Sequence, residues 1–139
     1  MKQHKKFVTI AIAIVSLGAL AVCGTALAWQ AGIKRTQLQR HDLSASGREV
    51  IQVRVDFATG TAFGNHSHPG EEIIYVIEGV LEYKVQGKPP VTLKAGEVLF
   101  VPAGTIHSAR NAGSGNAAEL ATYIVQKGKP LLVMVKIKS

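Results

Sequence analysis

Val50-Ile51-Gln52-Val53-Arg54-Val55-Asp56-Phe57 alternates without a break. Ile51, Val53, Val55 and Phe57 fall on one face of an extended chain, and Gln52, Arg54 and Asp56 on the other. A period of two belongs to a strand with one buried face. The same alternation returns at Leu81, Tyr83 and Val85, set against Glu82, Lys84 and Gln86. Ile73–Ile77, Val98–Val101, Ala121–Val125 and Leu131–Ile137 are further strand candidates, rich in β-branched and aromatic residues. Turn signals separate them: Thr59-Gly60, Pro69-Gly70, Glu78-Gly79, Gly87 to Pro90, Ala95-Gly96 and Asn111 to Asn116. Short strands at this spacing predict an all-β sandwich or barrel.

Upstream of Arg48 the pattern weakens. Trp29 to Gly47 is polar and without a clean period, and reads as an arm, with a brief helix expected over Thr36–Leu43. Before it, Lys2, Lys5 and Lys6 precede an apolar run from Phe7 to Val22, then Gly24-Thr25-Ala26-Leu27-Ala28. Charge, apolar run and small residues in that order predict a secretory signal peptide over 1–28, cleaved after Ala28, and a periplasmic or secreted protein. Two alternatives stand beside cleavage. The apolar stretch approaches the roughly 20 residues of a membrane span and could remain as an anchor. Leu20-Ala21-Val22-Cys23 loosely fits a lipoprotein box, with Val22 bulky for that role. A cleaved chain would have no stable membrane association.

Cys23 is the only cysteine, so a cleaved chain has no disulfide and no thiolate ligand. The formal charge of +7 falls once the three lysines of the signal are removed, leaving thirteen basic against nine acidic residues. The basic residues are scattered, without the aromatic-interleaved stripe of a nucleic-acid surface, so no nucleic-acid partner is expected.

The chemistry gathers at His66, His68, Glu72 and His107. His66 and His68 are two apart and leave the same face of an extended strand, with Cα atoms roughly 6.5–7 Å apart. After the Pro69-Gly70 turn, Glu72 opens the next strand, where its carboxylate can reach back. His107 follows Pro102-Ala103-Gly104 at another strand edge. Three imidazoles and a carboxylate suit one divalent transition-metal ion (Fe, Mn, Ni, Cu or Zn) rather than the all-oxygen set of calcium. His4 and His41 read as isolated side chains without such a role.

Around these residues run two spaced patterns. The first is Gly60, five residues, His66-Ser67-His68, three residues, Glu72, six residues, Gly79. The second is Gly96, five residues, Pro102-Ala103-Gly104, two residues, His107, three residues, Asn111, with 16 residues between the two patterns. In both, the chain resembles the cupin superfamily in its compact single-domain form. The resemblance covers about Arg48 to Lys136 and implies a jelly-roll barrel, a cupin domain over 48–137, with His66, His68, Glu72 and His107 as metal ligands. Gly60, Gly79, Gly96 and Gly104 are expected at turns, and Pro102 and Asn111 in structural roles.

Alternation places Ile74 and Val76 beside Glu72, and Ala109 beside His107, on the interior face; Tyr75 and Ile77 face away. The pocket is expected to be apolar. Phe63 and Phe100 could line the cavity but are better read as core, and Arg110 and Glu78 are candidates for an acid or base, each better read as solvated. The resemblance implies two functions to weigh. One is a metal-dependent dioxygenase acting on a small phenolic or enolic compound. The other is a non-catalytic binding or sensing protein, whose metal anchors a small ligand or braces the barrel. A homodimer is a further expectation, with Ile33–Gly47 lying across a neighbour's sheet edge to cover it.

Overall fold

The computed structural model describes residues 30–136; the expected signal peptide, Trp29 and Ile137 lie outside them. Two five-stranded antiparallel sheets face each other. The first runs β1 (Ile33–Asp42), β2 (Arg48–Phe57), β9 (Ala117–Gln126), β4 (Gly70–Glu78), β7 (Val98–Val101). The second runs β10 (Val133–Met134), β3 (Ala62–Ser67), β8 (His107–Asn111), β5 (Val80–Val85), β6 (Val91–Lys94). This is the two-sheet jelly roll expected from the sequence. The inward faces supply the core: Ile51, Val53, Val55 and Phe57 from β2, Ile74 and Val76 from β4, Leu81, Tyr83 and Val85 from β5, and Ala121, Tyr123 and Val125 from β9. Every second residue is buried, as the alternation required.

Sheet register then sets which side chains share a level. Glu72 lies opposite Tyr123 on one side and Val101 on the other. Across the barrel, His107 lies opposite both His66 and Val85. Glu72 therefore descends from one sheet onto imidazoles rising from the other.

Two glycines hold this level in place. A Cβ on Gly70 would sit 2.1 Å from the Ile124 carbonyl oxygen, so only glycine lets β4 begin against β9 two residues before Glu72. Gly104 has φ 69° and donates its N–H to the His68 carbonyl at 3.0 Å, tying the β7–β8 turn to a ligand residue. Asn111 is structural as expected: its amide donates to the carbonyls of Phe57, Ala58 and Gly115 and accepts from Gly113 N–H.

Four expectations are corrected. Thr36–Leu43 forms no helix, and the segment is no loose arm: Ile33–Asp42 is strand β1, antiparallel to β2 of the same chain. The connection from Leu43 to Gly47 is short enough to return the chain as a hairpin, which lays β1 along β2 of its own chain. Within the described part of Leu131–Ile137, only Val133–Met134 is strand. Pro130 has no N–H for a ladder, and Leu131 and Leu132 turn in to pack against the core. Phe63 is buried as expected, but Phe100 is 53% exposed, because it pairs with Ile73 on the outer face of β4–β7. Tyr75 and Ile77 share that outer face, as alternation required.

Candidate metal centre

The structure brings all four expected ligands together. His66 lies one residue before the end of β3, His68 follows the strand, Glu72 lies in β4 and His107 opens β8. All are buried, and one ligand atom from each lies within 4.8 Å of every other. The ring centroids of His66 and His107 are 4.1 Å apart, those of His66 and His68 5.0 Å.

Hydrogen bonds on the far side of each ring fix its tautomer. His66 Nδ1 meets the Gly64 carbonyl at 2.8 Å, His68 Nδ1 the Leu131 carbonyl at 2.6 Å, and His107 Nδ1 the Thr105 carbonyl at 3.0 Å. A carbonyl only accepts, so each Nδ1 carries its proton, and each neutral ring presents a lone pair at Nε2. Those lone pairs face a carboxylate. His107 Nε2 is 2.8 Å and His68 Nε2 is 3.4 Å from Glu72 Oε2, and none of these three buried atoms has a conventional hydrogen-bond partner. Acceptor against acceptor in a dry interior is costly unless a cation stands between them. A divalent ion bound by Nε2 and carboxylate oxygen satisfies all of them at once, and carbonyls behind the rings are the orienting partners that histidine ligands use. The residues fit the metal.

The titration pattern of the ion-free centre agrees. Burial, with the neighbouring His107, pushes His66 down to about 3, which keeps it neutral and ready to ligate. Burial opposes the charge on Glu72, but once a proton is added at Nε2 of His107 or His68 that imidazolium donates to the carboxylate, which outweighs burial and holds the carboxyl well below its usual range. Burial also works against a charged His107, and contact with Glu72 overcomes it and pushes that imidazole up. A single proton shared with Glu72 is thus the substitute when the ion is away.

The cavity beside the centre has a volume of about 10 Å³, close to the room one water needs. Val55, Phe57, Phe63, Ile74 and Ala109 give it the apolar walls expected from alternation. Its polar members were not expected. Glu119 is fully buried and accepts a short hydrogen bond from the Tyr83 hydroxyl. Burial, then the charge on Glu72, pushes its carboxyl up to about 8. Tyr123 packs against His68 in a tilted arrangement with centroids 4.6 Å apart, and Arg35 of β1 donates to the Tyr123 hydroxyl at 3.3 Å. The sequence carried a signal for Glu119, which is in phase with Ala121 and Tyr123 on β9. It carried none for Arg35 without β1. Arg110 and Glu78 are exposed; Arg110 forms a bidentate pair with Glu82. His41 is exposed too.

Comparison with known proteins matches residues 53–131 to the Cupin domain family. The chain belongs to the cupins. Its curated relatives include germin-like protein 1-1 of Oryza sativa subsp. japonica, 40% identical over 82 residues in a match that covers 53% of this chain and 37% of that protein. They also include the oxalate-binding protein of Thermotoga maritima, 37% identical over 73 residues, covering 52% of this chain and 60% of that one. Among solved structures, recombinant oxalate oxidase in complex with glycolate superposes with a TM-score of 0.61 at 28% identity, over 74% of this cupin and 55% of that chain. This cupin thus matches little more than a third of the length of the germin-like relative.

Proposed function

We propose that this cupin is an exported mononuclear metalloprotein that takes a small oxygen-donor acid onto its metal and, with dioxygen, oxidises or cleaves it. The observation that carries the reading is the set of lone pairs at Nε2 of His68 and His107 turned onto Glu72, with His66 beside them in a dry cavity. A divalent ion bound there supplies Lewis-acid polarisation of the acid and, if it is Fe or Mn, electron transfer to oxygen. The chain supplies the rest. The Nδ1–carbonyl bonds hold the three rings in their ligating orientation. Phe63, Val55 and Ile74 exclude water. Glu119 is buried in the cavity, where burial favours its protonated form, and the Tyr83 hydroxyl orients its carboxyl.

A cavity of about 10 Å³ takes neither a phenolic ring nor a small acid until side chains at its mouth move, and a carboxylate or enolate of a few heavy atoms asks for less movement than a ring. The names of two relatives, one binding oxalate and one an oxalate oxidase holding glycolate, support small acids as the class to test.

The same closed cavity favours a second reading, in which the ion anchors an acid without turning it over, as a binding protein would. If the chain is exported unfolded it loads metal outside the cytoplasm, where Zn and Cu compete well for imidazole sites. Oxygen uptake by Fe- and Mn-loaded protein, screened with oxalate, glycolate, diketones and catechols, separates the two. Uptake with a small acid supports the first; calorimetric binding of that acid with no uptake supports the second.

A further inference from the structure

Arg35 stands out among the arginines. Arg40, Arg48, Arg54 and Arg110 each pair with a carboxylate; among the described residues Arg35 pairs with none. It nonetheless lines the cavity that holds His66, Glu72 and His107. Its position follows from β1. Arg35 lies opposite Val55 in the β1–β2 ladder and therefore shares the inward face of Val55 and of its own neighbour Ile33.

What holds the guanidinium is neutral. Its carbon lies 5.7 Å from the Phe63 ring centre and 5.9 Å from that of Tyr123, and one N–H group donates to the Tyr123 hydroxyl. Ring faces steady a cation without discharging it. Four N–H donors remain, in a planar fork matched to two oxygens of one carboxyl group. The cavity holds two carboxyl groups, Glu72 and Glu119, and the ion claims Glu72. A divalent ion together with a guanidinium outweighs both carboxylates even when each is ionised, so the loaded cavity is cationic and calls for an anion.

We propose that Arg35 is the anion-recognition residue of this centre, gripping a carboxyl group of the small acid whose oxygens also reach the metal. The proposal rests on the metal reading above and adds the group that selects the ligand. Arg35 lies upstream of residues 53–131, so the selectivity comes from β1 and not from the segment matched to the family. Being half-buried, the side chain can swing outward to admit the acid into a cavity that is otherwise too small.

The test uses the full protein loaded with Zn, which avoids turnover, and reads oxalate and glycolate binding by calorimetry with metal content measured on every sample. Losing a charged hydrogen-bond partner should weaken oxalate binding about 10- to 100-fold in Arg35→Gln, with Arg35→Lys in between. Metal stoichiometry should stay that of the parent. An unchanged oxalate Kd in Arg35→Gln, at full metal content, overturns the proposal. Equal Arg35-dependent affinity for inorganic phosphate overturns the carboxylate class and leaves a general oxyanion site. A parent protein that holds Zn but binds neither acid also overturns it, while the metal reading stands. Failure to hold any divalent ion overturns the metal reading and this proposal together.

Discussion

At the scale of single residues, the centre depends on groups that have no good alternative partner. Replacing His107 with alanine removes a lone pair and the neighbour that holds Glu72 ionised. His107→Ala and His66→Ala should each weaken metal binding at least about 100-fold, read by competition with a chelating dye. Tyr83→Phe acts differently, because it leaves the buried Glu119 carboxyl without its hydrogen-bond donor. It should cost about 1–3 kcal/mol of stability in urea denaturation while leaving metal stoichiometry intact. The four ligands were legible in the sequence because two motifs of fixed spacing carry them. Glu119 and Arg35 were not read, for separate reasons. Glu119 obeys the strand alternation but sits where an apolar residue is the ordinary occupant. Arg35 points inward from a strand whose hydrophobic pattern is missing.

That missing pattern is an element-scale matter. In β1, Ile33 is the one buried hydrophobic; Arg35 and Gln37 take the next inward positions, and a bulge between Gln37 and Gln39 resets the phase. No period-two signal survives, and polar residues near Thr36 resemble a helix start. The strand forms because β2 offers a complete ladder partner, a tertiary cause that local propensity cannot report. β2, β4, β5 and β9 were legible because each buries one apolar face between the sheets. The β4–β9 contact yields its own test. Gly70→Ala would drive a methyl group into the Ile124 carbonyl, and β4 must shift to relieve it. The expected outcome is a loss of about 1–3 kcal/mol and weaker metal binding, since Glu72 moves with its strand. A thermal melt and a metal titration of the same variant check both effects.

Across the whole molecule, metal and protons compete for one cluster, and this fixes the pH dependence of stability. In metal-free protein, His66 is held down to about 3 and Glu72 well below its usual range. Below about pH 6.5 the unfolded chain increasingly takes up protons that the folded one refuses, so acid destabilises, most steeply below about 4.5. His107 is pushed up and Glu119 up to about 8, so there the folded chain keeps protons that the unfolded one releases. Stability from Glu119 falls as pH rises from about 4.5 through 8, offset up to about 6.5 by the gain from His66, and stability from His107 falls above about 6.5. Metal-free protein should therefore be most stable between about pH 4.5 and 6.5. Metal-loaded protein should gain stability across pH 6–8 as protons cease to compete for the imidazoles. Parallel denaturation curves at several pH values, with and without metal, check the reversal.

We propose that a single ion joins the two sheets through His66, His68, Glu72 and His107. Elemental mass spectrometry on native protein purified without a nickel column, beside His107→Ala prepared in the same way, tests it most directly. The expected result is about one divalent transition-metal ion per chain in the parent and almost none in the variant. A parent that stays empty after incubation with Fe, Mn, Ni, Cu and Zn in turn, or a variant that keeps its full complement, would contradict it.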